Sequence, residues 1–164
     1  MILNNFKKAL YCSSNNGSGG SSRETPVSPV GLDGEIFSGN MYYNSYYLFS
    51  RIKYLPDDLA QDGDFCIAVG TNDTPVSPDD YKWENGISVL TNSGYSHKCV
   101  NKDGEYFCRF SRTFVNDTNE DITVKEVGLI MMNSLKFLAA RKVLSEPVVI
   151  KAKGGIESFG FDIG

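Results

Sequence analysis

EYFCRFSRTFVN, residues 105–116, alternates with a period of two. Tyr106, Cys108, Phe110, Arg112 and Phe114 fall on one phase, and Phe107, Arg109, Ser111 and Thr113 on the other. Successive side chains of a strand point to opposite faces, so this pattern predicts a strand with an aromatic inner face. The six polar residues Asn116 to Asp121 then turn the chain. Ile122 to Met132 is β-branched and apolar, with Lys125 and Glu126 as its only charges. Asn133-Ser134 makes the next turn, and Leu135 to Leu144 reads as a third strand carrying Arg141 and Lys142. Ser145-Glu146-Pro147 is expected to break it, with Val148-Val149-Ile150 starting a fourth. Gly154-Gly155 turns the chain into Ile156 to Ile163, which places Phe159, Phe161 and Ile163 on one face. Several short strands with turn signals at this spacing predict a mainly β chain, an antiparallel β-sandwich or jelly roll.

Upstream, Gly86 to Thr91 and Tyr95 to Asn101 suggest a hairpin across Asn92-Ser93-Gly94, and Lys102-Asp103-Gly104 a second hairpin turn. Phe65 to Val69 reads as a short buried strand ending at Gly70. Ser77-Pro78-Asp79-Asp80 has the order of a helix start, a capping Ser followed by Pro and two carboxylates, and predicts one helical turn holding Tyr81 and Trp83. Met41 to Lys53 is Tyr-rich and favours a strand.

The N-terminus differs from the rest. Ile2, Leu3, Phe6, Ala9 and Leu10 lie at helical spacing and predict a short amphipathic helix, too short to be stable alone. SSNNGSGGSS, Ser13 to Ser22, lacks the apolar content to pack and reads as a flexible linker. The chain is therefore expected to divide into an anchor and linker, 1–22, and a β-sandwich domain, 23–164. A tethered helix suits an assembly protein and equally a chain with an untidy N-terminus.

Composition sets the function classes. At 164 residues, 41% hydrophobic and 12% aromatic, the chain is expected to hold one modest core. Its formal net charge is −4 and no Lys/Arg cluster exceeds a pair, which argues against a nucleic-acid surface. No apolar run approaches the ~18 residues that would span a membrane, and the apolar residues of Met1 to Leu10 are too interrupted for a signal peptide. The four cysteines, Cys12, Cys66, Cys99 and Cys108, form no CxxC pair, so free thiols and a protein that works without thiol chemistry are expected. His97 with Cys99 and Cys108 lacks a fourth ligand, and no metal or other cofactor is expected. Asp57 to Asp64 lacks the register of a calcium loop, and Gly70 to Pro75 lacks the GK[ST] of a phosphate loop. With one His and no GxSxG elbow, no catalytic constellation is visible, and the chain is expected not to be an enzyme.

Three groups of residues carry a resemblance. They are Ile67 to Thr71 with Thr74 to Asp80; Arg112 to Thr118 with Ile122 to Leu129; and Leu138 to Val148. Their order and spacing resemble segments of small structural proteins of tailed bacteriophages, "VGTG-T-P-P-S-D", "TF-N-T", "I-V-EVGL" and "L-AR-VLS-PV". The match covers residues 65–163. It departs at Asn72, where that family often has Gly, and in the Cys-containing insert from His97 to Cys108. The resemblance implies a β-sandwich virion component of the head exterior, neck or tail fibres, synthesised in the host cytoplasm. It implies as partners further copies of the chain, with a trimer favoured, and capsid, neck or tail proteins. Ile2, Leu3, Phe6 and Leu10 are the expected anchor to a neighbour, and Tyr42, Tyr43, Tyr46 and Tyr47 the expected subunit interface. Those tyrosines with Trp83 also suit a carbohydrate- or receptor-binding module of a tail fibre, with a host surface glycan as ligand. Arg141, on an otherwise apolar strand, is expected to pair with Glu126 or a backbone carbonyl.

Overall fold

The computed structural model describes residues 1–4, 30–32, 34–36, 64–102, 105–132 and 137–163. Six strands follow in chain order: β1 (Asp64–Gly70), β2 (Thr91–Lys102), β3 (Glu105–Asn116), β4 (Ile122–Met132), β5 (Phe137–Ile150) and β6 (Gly155–Ile163). They form two antiparallel three-stranded sheets, in the orders β1-β4-β5 and β2-β3-β6. The protein is mainly β, with no helix among the described elements. The chain divides into two compact units. Unit 1 is Met1–Cys66, Val76–Trp83 and Ile130–Arg141; unit 2 is Ile67–Pro75, Glu84–Leu129 and Lys142–Gly164.

In unit 2 the alternation of β3 sets the core. Phe110, Arg112, Phe114 and Asn116 are buried on one phase. Phe110 stands opposite Phe161, and Arg112 opposite Phe159, in the β3–β6 ladder. The Phe114 and Phe159 rings meet edge to face, centroids 6.0 Å apart. Each buried phenylalanine contributes about 1.5–3 kcal/mol of hydrophobic stabilisation. Ile67, Val69, Leu90, Val124, Val127, Leu129 and Ile150 are the other buried apolar side chains among the described residues of this unit. Unit 1 buries Leu3, Leu138, Ala139 and Ala140.

Three expectations are corrected. The hairpin across Asn92-Ser93-Gly94 is instead a β-bulge within a continuous β2, where Asn92 pairs with Phe114 and Gly94 with Thr113. The Asn92 side-chain oxygen accepts the Gly94 N–H at 3.3 Å, a local loop that absorbs one residue without reversing the chain. Pro147 does not break β5, which runs on to Ile150. In the order β1-β4-β5, β5 lies at a sheet edge, where a missing N–H is tolerated. The helical turn at Ser77 to Asp80 is a single β-turn, closed by Asp80 N–H to the Ser77 carbonyl at 3.1 Å. Of the N-terminal segment, Met1 to Leu3 is extended: Ile2 bridges antiparallel to Ala140. Residues 5–10, the linker 13–22 and the tyrosine segment 42–49 lie outside the described residues.

Candidate functional site

The chemically distinctive side chains of the described residues are polar groups built into the two units. In unit 1, Arg141 is buried and its Nη1 donates to Asp80 Oδ2 at 2.9 Å. Asp80 is thus one partner of Arg141, and one that no local pattern of the sequence points to. That carboxylate also accepts the Ser77 N–H at 3.1 Å, while Ser77 Oγ accepts the Asp79 N–H at 3.4 Å. This reciprocal arrangement is that of a helix capping box, here on one isolated turn. Its effect is to hold Asp80 where Arg141 needs it.

The N-terminal residues lie in the same unit. The Met1 nitrogen donates to the Arg141 carbonyl at 2.8 Å, and the Arg141 N–H donates back to the Met1 carbonyl at 3.1 Å. Leu3 N–H donates to the Ala139 carbonyl, and Asn4 N–H to that of Pro78. Asn4 Nδ2 also reaches Asp79 Oδ1 at 2.9 Å. Leu3 is fully buried. Of the expected anchor residues, Ile2 and Leu3 thus join a strand edge of this chain, while Phe6 and Leu10 lie outside the described residues. Tyr42, Tyr43, Tyr46 and Tyr47 also lie outside them, and Trp83 is half-buried in unit 1.

In unit 2, Glu126 is buried on β4 against Gly70 of β1. A Cβ at Gly70 would stand 2.5 Å from Glu126 Oε1, so the glycine makes room for this carboxyl. Arg112 of β3 donates from Nη1 to the Ile67 carbonyl of β1 at 3.0 Å, and its guanidinium lies 4.8 Å from the Phe114 ring centre. Asn116, fully buried at the end of β3, donates to the carbonyls of Glu120 and Ile150. Its own oxygen accepts from the Thr118 N–H and hydroxyl. One asparagine thereby ties the β3–β4 turn to the end of β5.

Exposed ion pairs add to these polar groups. Arg109 clasps Asp162 through Nε and Nη2 at 2.7 and 2.8 Å, as register partners on β3 and β6. These hydrogen bonds hold the Asp162 carboxyl below its ordinary range and raise the Arg109 guanidinium above its own. Lys125 lowers Asp73 in the same way across 2.8 Å. Asp121 is lowered by Lys151 and by the Ala152 N–H. Val89, Val149 and Ile156 are exposed apolar side chains of unit 2.

Among the described residues no group of three or more His, Cys, Asp or Glu is placed to hold a metal ion. No described helix is long and apolar enough to cross a membrane, a statement that does not bear on strands. Cys66 is a half-buried thiol of β1, not part of a disulfide. His97 stands opposite Phe110, and Cys99 opposite Cys108, in the β2–β3 register; their side chains lie outside the described residues. Sequence reasoning missed the Cys99–Cys108 pairing, although both lie equally far from the Asp103-Gly104 turn it had recognised. It also missed the Gly70–Glu126 packing, which has no local signal.

Comparison with protein-family models, with curated proteins and with solved structures finds no significant match to any of them.

Proposed function

We propose that this chain is a non-enzymatic structural protein of a bacteriophage virion, assembled as a homo-oligomer on the head exterior, neck or tail. One observation carries the reading: the residues through which the sequence resembles tailed-phage structural proteins occupy framework positions. Gly70 accommodates Glu126, Asp80 holds Arg141, and Asn116 binds the β3–β4 turn to β5. Asn72, where the resembled segments often have glycine, accepts the Thr74 N–H at 3.0 Å and so supports the turn by a different device. Residues that hold a fold together are what a shared architecture retains, whereas an enzyme family would share groups converging on a cleft. The finer fold we propose is a β-sandwich, supported by the Arg112 to Ile67 hydrogen bond between a strand of each sheet within unit 2.

The test is mass spectrometry of purified particles with quantified copy number, together with labelling of the chain in electron micrographs. Stoichiometric incorporation at one structural position is expected. Absence from particles, with the protein found only in the lysate, overturns the reading. Specific hits on a glycan array that vanish on changing Trp83 to Ala would favour the receptor-binding alternative.

A further inference from the structure

We propose that Cys99 and Cys108 are an oxidisable pair that closes a cross-strand disulfide and staples β2 to β3. They are Cα partners in an antiparallel ladder that is unbroken from Gly94↔Thr113 to Lys102↔Glu105. Directly opposed residues of an antiparallel pair have Cα atoms about 4.5 or 5.5 Å apart, depending on their hydrogen-bonding type. Both spacings fall inside the ~4.4–6.8 Å that a disulfide bridges. The bulge that would disturb this geometry lies at the other end of β2, at Asn92/Gly94. Cys66 belongs to β1 in the other sheet, so neither member of the pair has it as a ladder neighbour. The register gives thiol chemistry a place that the spacing of the cysteines in the sequence does not indicate.

The reaction is thiol–disulfide exchange with a low-molecular-weight disulfide such as oxidised glutathione. One protein thiolate attacks it, forming a mixed disulfide and releasing one glutathione thiolate. The second protein thiolate then attacks the protein sulfur of that mixed disulfide and releases the other glutathione. The protein pair loses two protons and two electrons, and the oxidant becomes two thiols. The inference rests on the hairpin register and not on the virion reading, which it complements: the staple stays open in a reducing cytoplasm and closes on release to an oxidising medium.

The experiment equilibrates the full chain with glutathione buffers of graded redox poise at pH 8, quenches with acid, alkylates and maps the digest without reduction. Cys99 and Cys108 are expected to lose alkylation together, their peptides to appear joined, and Tm to rise by about 5–10 °C. The rise should vanish in Cys99→Ser and in Cys108→Ser and persist in Cys66→Ser. Full alkylation of both residues in oxidised glutathione overturns the proposal. So does separate glutathionylation, a link from either residue to Cys12, Cys66 or a second chain, or a link that leaves Tm unchanged.

Discussion

Gly70 shows how one absent atom places one buried carboxyl group. Its Cβ would meet three atoms of the Glu126 side chain, at 2.5, 3.0 and 3.1 Å. Glu126 is 1% exposed and has no outward route of escape. Gly70→Ala should therefore destabilise the protein by about 1–3 kcal/mol, an overpacking cost readable from the midpoint of denaturant unfolding. Asp80 gives the complementary case. Its side chain is 25% exposed and that of Arg141 4%, so Asp80→Ala removes an ion-pair partner from a nearly buried guanidinium and takes away the acceptor of the Ser77 N–H. A loss on the order of 2–4 kcal/mol is expected in the same assay. Asp162→Asn, at an exposed pair, should cost far less stability than Asp80→Ala, because solvent screens that interaction.

At the scale of elements, the N-terminal residues act as an added strand on β5, held by main-chain hydrogen bonds and by the fully buried Leu3. Leu3→Asp places a carboxylate in that site and should release Met1 to Asn4. Hydrogen exchange reads this directly: the Arg141 amide, which donates to the Met1 carbonyl, is expected to lose protection while the Gly154 amide, donating to Asn116, keeps its own. The acidic ends of the connections behave as a group in titration. Asp73, Asp121 and Asp162 have carboxyls lowered from 3.8 by hydrogen bonds from Lys125, Lys151 and Arg109. A lowered folded-state value means that their stabilising effect is fully present above about pH 3.8 and lost as pH falls through the folded values. Side-chain carboxyl titration followed by NMR should place all three midpoints below 3.8. A midpoint at or above that value would show the ion pair absent in solution.

For the whole molecule, the virion reading makes copy number the decisive quantity. A small domain gains avidity for a lattice or a host surface only through several copies, and cyclic symmetry is the ordinary way to arrange them. Native mass spectrometry at micromolar concentration should show a closed oligomer, with a trimer favoured, and Tyr46→Ser with Tyr47→Ser should shift it toward monomer. A monomer both in isolation and within particles contradicts the assembly reading, and leaves the Cys99–Cys108 staple to stand or fall separately.

The strands were legible in the chain because their determinants are local. Period-two alternation marked β3 and β6, the β-branched run marked β4, and polar clusters at Asn116 to Asp121 and around Gly154-Gly155 marked the turns. The aromatic phase of β3 was read correctly for Phe110 and Phe114, since burial on one face imposes that period. Pro147 and Asn92-Ser93-Gly94 were misread because the same residues suit a turn, a bulge or an edge strand, and only the neighbouring strands choose among these. Partners distant in sequence were beyond local reading altogether. Arg141 demanded a partner by its charge, but Asp80, 61 positions away, was selected by the turn that aims it and by the packing of unit 1. Glu126 against Gly70, Asn116 against Ile150, and Met1 to Leu3 along β5 have the same origin. Periodicity and turn chemistry act over a few residues and so belong to the sequence. Which buried polar group meets which, and whether Cys99 faces Cys108, depends on the closure of ladders between distant segments, which the tertiary structure alone supplies.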